Sequence, residues 1–327
     1  LFYELNDILI NDFKNFIKFS FNEKLELIAQ CDLNIKFFIN NQQTEISEIF
    51  NNKTVKLLYK DGTIFLKGHF YKQVLPIQSG VLNQNIMKNI IPLDCLKQIN
   101  LSEKDEENLT LNKFSSNSIF HLIDQISNIQ DPRVSHADLG EFYQYIPNVD
   151  LVLCTDMGTE PADFILSSKD KVVFVHVKCG NSTQRPKSSA GALCEVGGQA
   201  LKNMHFLLQT SPSRYGNITN IRGDWPSSNG NISGVKLNRI RLFNKTFDLN
   251  HDLDDVILKI DERRVDPLVR KEIWIDVGNA FSHNHFITQF SDPSKASPET
   301  VEAYQLLDTL FSQTTAHDVD LKFFTSV

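Results

Sequence analysis

A chain of 327 residues, 41% of them hydrophobic and 22% charged, describes an ordinary globular protein with room for two domains and a sizeable core. No run of about twenty apolar residues and no secretory leader pattern occurs, so neither a membrane span nor export is expected, and the cytoplasm is the expected compartment. The net charge of −7 argues against a nucleic-acid surface spread over the whole molecule, because a phosphate backbone rewards positive charge.

Five cysteines, Cys31, Cys95, Cys154, Cys179 and Cys194, are an odd number without framework spacing and point to reduced thiols. A zinc site built from His176, Cys179 and Cys194 is disfavoured because no CxxC pair is present. The chain opens on Leu1, which reads as part of something larger, and no GxxxxGK[ST] loop is present to supply a motor.

Residues 1–110 read as a β-containing accessory domain. Leu33, Ile35, Phe37 and Ile39 alternate with polar residues, the period of a half-buried strand. Strands over 54–60 and 63–71 flank Asp61-Gly62, a hairpin signal because both turn positions favour positive φ. The run SEKDEENLTLNK, Ser102 to Lys113, is polar and aperiodic and reads as the boundary to a second domain at 111–327. Its acids, Glu103 among them, are assigned to a linker.

After the boundary, Ile119, Leu122, Ile123 and Ile126 recur at helical spacing, and a short helix over 137–145 carries Glu141. Three strands follow at 150–155, 162–167 and 172–178, separated by the turns MGTEP and SSKDK. Whether the second turn closes with two or four loop residues, Asp163 pairs across from His176, and the two-residue period adds Lys178 to that face. One sheet edge is then expected to display a carboxylate, an imidazole and an ammonium, with Glu160 and Asp156 nearby in the preceding turn.

The next segment, GALCEVGGQALKNMHFLLQT, places Leu193, Val196, Ala200, Met204 and Leu207 on one helical stripe. Gln199 borders that stripe, with Glu195 and Lys202 further round. Gly197 and Gly198 imply close approach by a strand or ligand. The Ser-, Asn- and Gly-rich stretch from Thr210 to Gly234 reads as a substrate-contacting lid bearing Arg214, Arg222 and Trp225. A strand with Arg239 and Arg241, a helix over 252–260, a strand over 272–277, a helix capped by Ser297 and Pro298, and a closing strand over 320–326 complete an α/β core. His283 and His285 fall in what reads as a polar loop.

An acid opening one strand, a loop, then a metal-binding residue two positions before a lysine on the next strand resembles the PD-(D/E)xK nuclease superfamily. TDMGTEPADFI, HVK and ALCEVGGQALKN look more narrowly like nuclease domains associated with helicases in bacterial restriction and phage defence. The resemblance implies a restriction-endonuclease-like mixed sheet flanked by helices and metal-dependent cleavage of DNA. Implied partners are DNA and a helicase or ATPase domain or subunit; the implied cofactor is Mg2+ or Mn2+. It implies a metal site of Asp163, His176 and Glu160, a catalytic Lys178, a Gln199 on the following helix, and support from Glu141, Glu195 or Lys202. Arg185, Arg214 and Arg222 are the expected nucleic-acid contacts. His176 departs from the family's usual carboxylate, and an imidazole there shifts the expected preference towards manganese. The rival expectation is an inactive nuclease-fold module that binds nucleic acid or a partner protein.

Overall fold

The structure is a computed structural model that describes residues 17–21, 23, 27–31, 36–39, 42–51, 56–58, 63–66, 69–72, 84–98, 100–158, 160–180, 187–188, 190–209, 221–226, 234–243, 253–292 and 295–327. It divides into two units, Leu1–Leu75 and Pro76–Val327. The expected boundary at 110 therefore lies inside the second unit. The polar run after Leu101 is not a linker, because Leu101 and Leu109 are buried and Ser102 and Glu103 accept backbone bonds from Ile119 and Phe120. A charged sequence hid a segment anchored at only a few apolar points.

The first unit consists of short antiparallel pairs. β1 (Ile17–Phe21) pairs with β2 (Leu27–Cys31), and β3 (Lys36–Ile39) with β4 (Gln42–Glu45). The helix α1 (Ile46–Asn51) ends on Asn51, whose side chain exchanges two hydrogen bonds with the backbone of Ala29 in β2. The strand expected over 63–71 is two, β6 (Thr63–Leu66) and β7 (His69–Lys72), which follow β5 (Lys56–Leu58) in a meander.

The second unit is mixed α/β. Its strands are β8 (Ile90–Leu93), β9 (Leu151–Cys154), β10 (Phe164–Ser167), β11 (Lys171–Val177), β12 (Ile240–Phe243), β13 (Arg270–Asp276) and β14 (Val319–Ser326). They form one seven-stranded sheet in the order β12-β9-β10-β11-β13-β14-β8. The β12-to-β11 half is antiparallel, and β11, β13, β14 and β8 run parallel. The run Val172 to Val177 in β11, apolar except for His176, suits a strand covered on both faces. Burying each such side chain contributes about 1.5–3 kcal/mol.

Alternation sorts these side chains into two cores. Val172, Phe174, Ile273, Ile275, Leu321 and Phe323 face one layer, formed by α2 (Gln84–Asn89), α4 (Ala190–Leu208), α5 (Leu253–Val265), α6 (His283–Ser291) and α7 (Pro298–Ala316). Val173, Val175, Trp274 and Phe324 face the other, covered by α3 (Ile119–Asp124) and the single turns after it. The helix expected over 137–145 is two 3-10 turns, His136–Leu139 and Glu141–Tyr145, broken at Gly140 with φ of 77°. The expected polar loop at His283 is α6, whose N-cap Ser282 accepts from the backbone of His285. No helix among the described residues is long and apolar enough to cross a membrane.

Candidate metal centre

The β10–β11 hairpin has the expected register, with Phe164 opposite Val175 and Ser167 opposite Val172. That register predicts Asp163 against His176, but the chain bends at Asp163 and leaves the strand. Its N–H bonds the carbonyl of Val175 at 2.9 Å, and its Oδ2 accepts the N–H of Val177 at 2.7 Å. The carboxylate thereby takes a place that a backbone carbonyl would fill in a regular ladder. This turns it to the strand ends instead of laying it alongside the imidazole.

Asp163 meets Asp156 and Glu160 there. One ligand oxygen from each lies within 4.8 Å of the others, so this buried acidic cluster could hold a metal ion. Asp156 is fixed by the Lys104 ammonium at 2.9 Å and the Trp225 indole N–H at 2.8 Å. The Glu160 loop is tied to α4, whose Asn203 side chain donates to the Glu160 carbonyl at 3.0 Å. Glu160 Oε2 is buried without a hydrogen-bond partner among the described residues. Burial, reinforced by the Asp156 charge, pushes the Asp163 carboxyl well above the ordinary range. Three hard carboxylates, one lacking a donor, form a set that fits a divalent cation such as magnesium, manganese or calcium.

His176 does not belong to this set. It is 2% exposed, faces the same core as Val172 and Phe174, and has no hydrogen-bond partner at Nε2 among the described residues. Burial alone pushes its imidazole down to about 4. The expected bias towards manganese loses its basis, because the bend at Asp163 separates the pair that regular alternation would join. Nor do these groups occupy a sheet edge, since β10 and β11 are interior strands.

Lys178 lies just beyond β11, where its N–H bonds the Asp276 carbonyl at 2.8 Å. Its ammonium pairs with Glu195 at 2.8 Å and reaches Glu103 at 3.8 Å; the Glu195 hydrogen bond, opposed by partial burial, raises its pKa. Glu103 is 3.5 Å from Lys104, which holds Asp156. An alternating string, Glu195–Lys178–Glu103–Lys104–Asp156, therefore joins the lysine to the carboxylates. It crosses the carboxyl ends of β10's neighbours β9 and β11, the end of an α/β sheet at which ligands characteristically bind. Glu103 and Lys104 were hidden by the linker reading of a charged, aperiodic run.

The remaining expected residues divide. Gln199 is exposed on α4, four residues from both Glu195 and Asn203, so the helical repeat sets it between the residue that holds Lys178 and the one that holds Glu160. Lys202 is exposed on the same helix, but no contact joins it to the carboxylates. Glu141 lies elsewhere and accepts the backbone N–H groups of Asp94 and Cys95, both at 2.9 Å, capping a 3-10 turn. Arg222 is exposed and pairs with Asp254 at 2.6 Å, while Arg185 and Arg214 lie outside the described residues. Most of the expected lid does too, and Trp225 within it is a core residue. Arg239 is 2% exposed, its guanidinium spent on the carbonyls of Gly223, Cys154 and Asp156 except for Nη2, which has no partner among the described residues. Arg241 forms a two-pronged pair with Asp124. Arg239 and Arg241 are thus structural.

All five cysteines are free, Cys194 exposed and Cys179 half-buried, and they form no cluster with His176 of the kind the carboxylates form. A depression of about 220 Å3 between Asp150, Phe243 and the α5 residues Leu258 and Arg263 lies at the opposite end of β9 from the carboxylates. Comparison with protein-family models, curated proteins and solved structures finds no match.

Proposed function

We propose that this chain is a divalent-metal-dependent nuclease of restriction-endonuclease-like fold that hydrolyses phosphodiester bonds in DNA. The observation that carries the reading is the convergence of Asp156, Glu160 and Asp163 at the strand ends, with Lys178 joined to them through Glu103 and Lys104. In this reading the three carboxylates would hold the ion, which would supply Lewis acidity for phosphodiester hydrolysis. Lys178 donates to phosphoryl oxygens, where its charge stabilises the transition state in a partly water-excluded site. Gln199 orients the substrate from α4. The family resemblance of TDMGTEPADFI, HVK and ALCEVGGQALKN extends the proposal to bacterial restriction or anti-phage defence, with a helicase or ATPase as partner.

A second reading, an inactive nuclease-fold module that grips nucleic acid or a partner protein, is favoured by the burial of His176 away from the carboxylates. Lys178→Ala separates the two. If the lysine acts on charge that develops during reaction, the variant loses about 10²–10³-fold in metal-dependent cleavage and binds the same DNA only modestly more weakly. The assay includes magnesium, manganese and the partner motor. Equal cleavage by wild type and variant would defeat the nuclease reading.

A further inference from the structure

Lys104 lies against one of the candidate cation ligands, Asp156, and Glu103 lies against Lys178. Lys104 Nζ lies 2.9 Å from Asp156 Oδ1. Burial by itself would lower its pKa, yet the charges of Asp156 and Asp163 outweigh that and raise it. The same ammonium is 3.5 Å from Glu103 Oε1, and Glu103 Oε2 is 3.8 Å from the Lys178 ammonium.

We propose that the Glu103–Lys104 pair fills the site as an intramolecular stand-in, its ammonium neutralising the carboxylates in place of a divalent cation and its carboxylate facing Lys178 in place of a phosphate oxygen. The inference rests on the reading of the carboxylates as a cation site. Lys104 pairs directly with only one of the three acids, Asp156. Glu160 Oε2 remains without a hydrogen-bond partner among the described residues. That oxygen is what an incompletely satisfied cation site leaves over.

The device is built for exchange. The backbone of the pair is pinned, with the carbonyl of Ser102 accepting from Ile119 and that of Glu103 from Phe120. Its side chains are about a quarter exposed, so each can swing out without unfolding the segment. An arriving cation displaces Lys104 from Asp156, and an arriving phosphate displaces Glu103 from Lys178. Metal and substrate each remove one half of the same internal ion pair, so each weakens the hold of the other half.

The test is isothermal titration of the whole chain with manganese chloride, comparing wild type, Lys104→Met and the charge-keeping Lys104→Arg. Removing a positive charge within about 5 Å of the bound ion strengthens cation binding by at least about ten-fold, while Lys104→Arg stays near wild type. Lys104→Gln serves as a second neutral variant should Lys104→Met fail to give a normal circular-dichroism melt. Manganese binding by wild type with no gain in the neutral variants would overturn the stand-in and leave the cation reading intact. No binding by any of them would overturn the cation reading itself. For the other half, inorganic phosphate should bind several-fold more tightly to Glu103→Gln than to wild type without metal, and no increase would remove Glu103 from the device.

Discussion

Replacing His176 by Phe should change how the stability of the second unit depends on pH, and the change can be worked out from burial alone. The imidazole is 2% exposed and is held neutral down to about pH 4, with desolvation the sole cause. In the unfolded chain it returns to about 6.5. Between these values the unfolded state binds a proton that the folded state refuses, so the histidine's contribution is full above pH 6.5 and is lost as pH falls towards 4. The slope approaches about 1.36 kcal/mol per pH unit between the two values and is half that at pH 6.5, so lowering the pH from 6.5 to 4.5 removes about 2 kcal/mol. Asp163 and Asp276 have raised folded values and act with the opposite sign, so the wild-type curve alone does not isolate the histidine. Its difference from His176→Phe does, because no charged group acts on His176. Urea unfolding followed by tryptophan fluorescence is the assay, since the chain's two tryptophans, Trp225 and Trp274, are both buried in the second unit. The variant should gain about 2 kcal/mol relative to wild type between pH 6.5 and 4.5. A difference that stays constant to within about 0.5 kcal/mol across that range would show that folding hardly moves the imidazole pKa and that His176 is not a buried neutral base.

Asp276→Asn should show the reverse sign. Burial pushes the Asp276 carboxyl up to about 7 from 3.8, so the wild-type group stabilises at low pH and loses that contribution as pH rises through 7. The variant should therefore gain up to about 4 kcal/mol relative to wild type between pH 4 and 7, measured by the same unfolding curves. Glu272 is completely buried between Lys171 at 2.8 Å and Lys322 at 3.2 Å; Glu272→Ala should cost about 3–5 kcal/mol in urea melts by stranding both ammoniums, and Lys171→Met with Glu272→Leu should recover much of it. In α4, a Cβ on Gly198 meets nothing within 4 Å, whereas one on Gly197 comes within 2.9 Å of Leu310 Cδ1. Gly198→Ala should raise stability by about 0.5–1 kcal/mol, and Gly197→Ala should raise it less or lower it. Equal gains at both positions would mean that α4 and α7 are not packed as closely as described.

Legibility in the sequence followed the range of the interaction that decides each feature. The hairpin register was readable because its two strands are adjacent in the chain and alternate cleanly. The α7 start was readable because Ser297 and Pro298 act within one turn, and Ser297 does accept the Thr300 N–H. α6 escaped notice because a short polar helix is defined chiefly by its Ser282 cap and by Phe286 and Phe290 beneath it. In the acidic cluster, Asp163 and Glu160 were readable from their positions around the hairpin, while Lys178 reaches the cluster only through Glu103 and Lys104. Asp156 was visible only as a spare acid, and its fixation by Lys104 and Trp225 depends on residues 52 and 69 positions away. The exclusion of His176 hangs on one bend in the ladder, which alternation cannot foresee. The glycine pair promised a strand or ligand close to α4; Gly197 instead receives the Leu310 side chain of another helix, and Gly198 receives nothing.

The α4 helix also acts as a gauge. Glu195 grips Lys178 and Asn203 grips the loop of Glu160, and their separation of eight positions fixes a span of about 12 Å along a rigid rod. Just before its first turn, Ser188 is held by His285 of α6 at 2.7 Å and by Thr300 of α7 at 2.9 Å. The rod is thus fastened at its root to two other helices and touches the candidate site at two separate points. A slide or tilt of α4 moves both contacts in the same stroke, so the lysine and the carboxylates are set to one another by a single mechanical part.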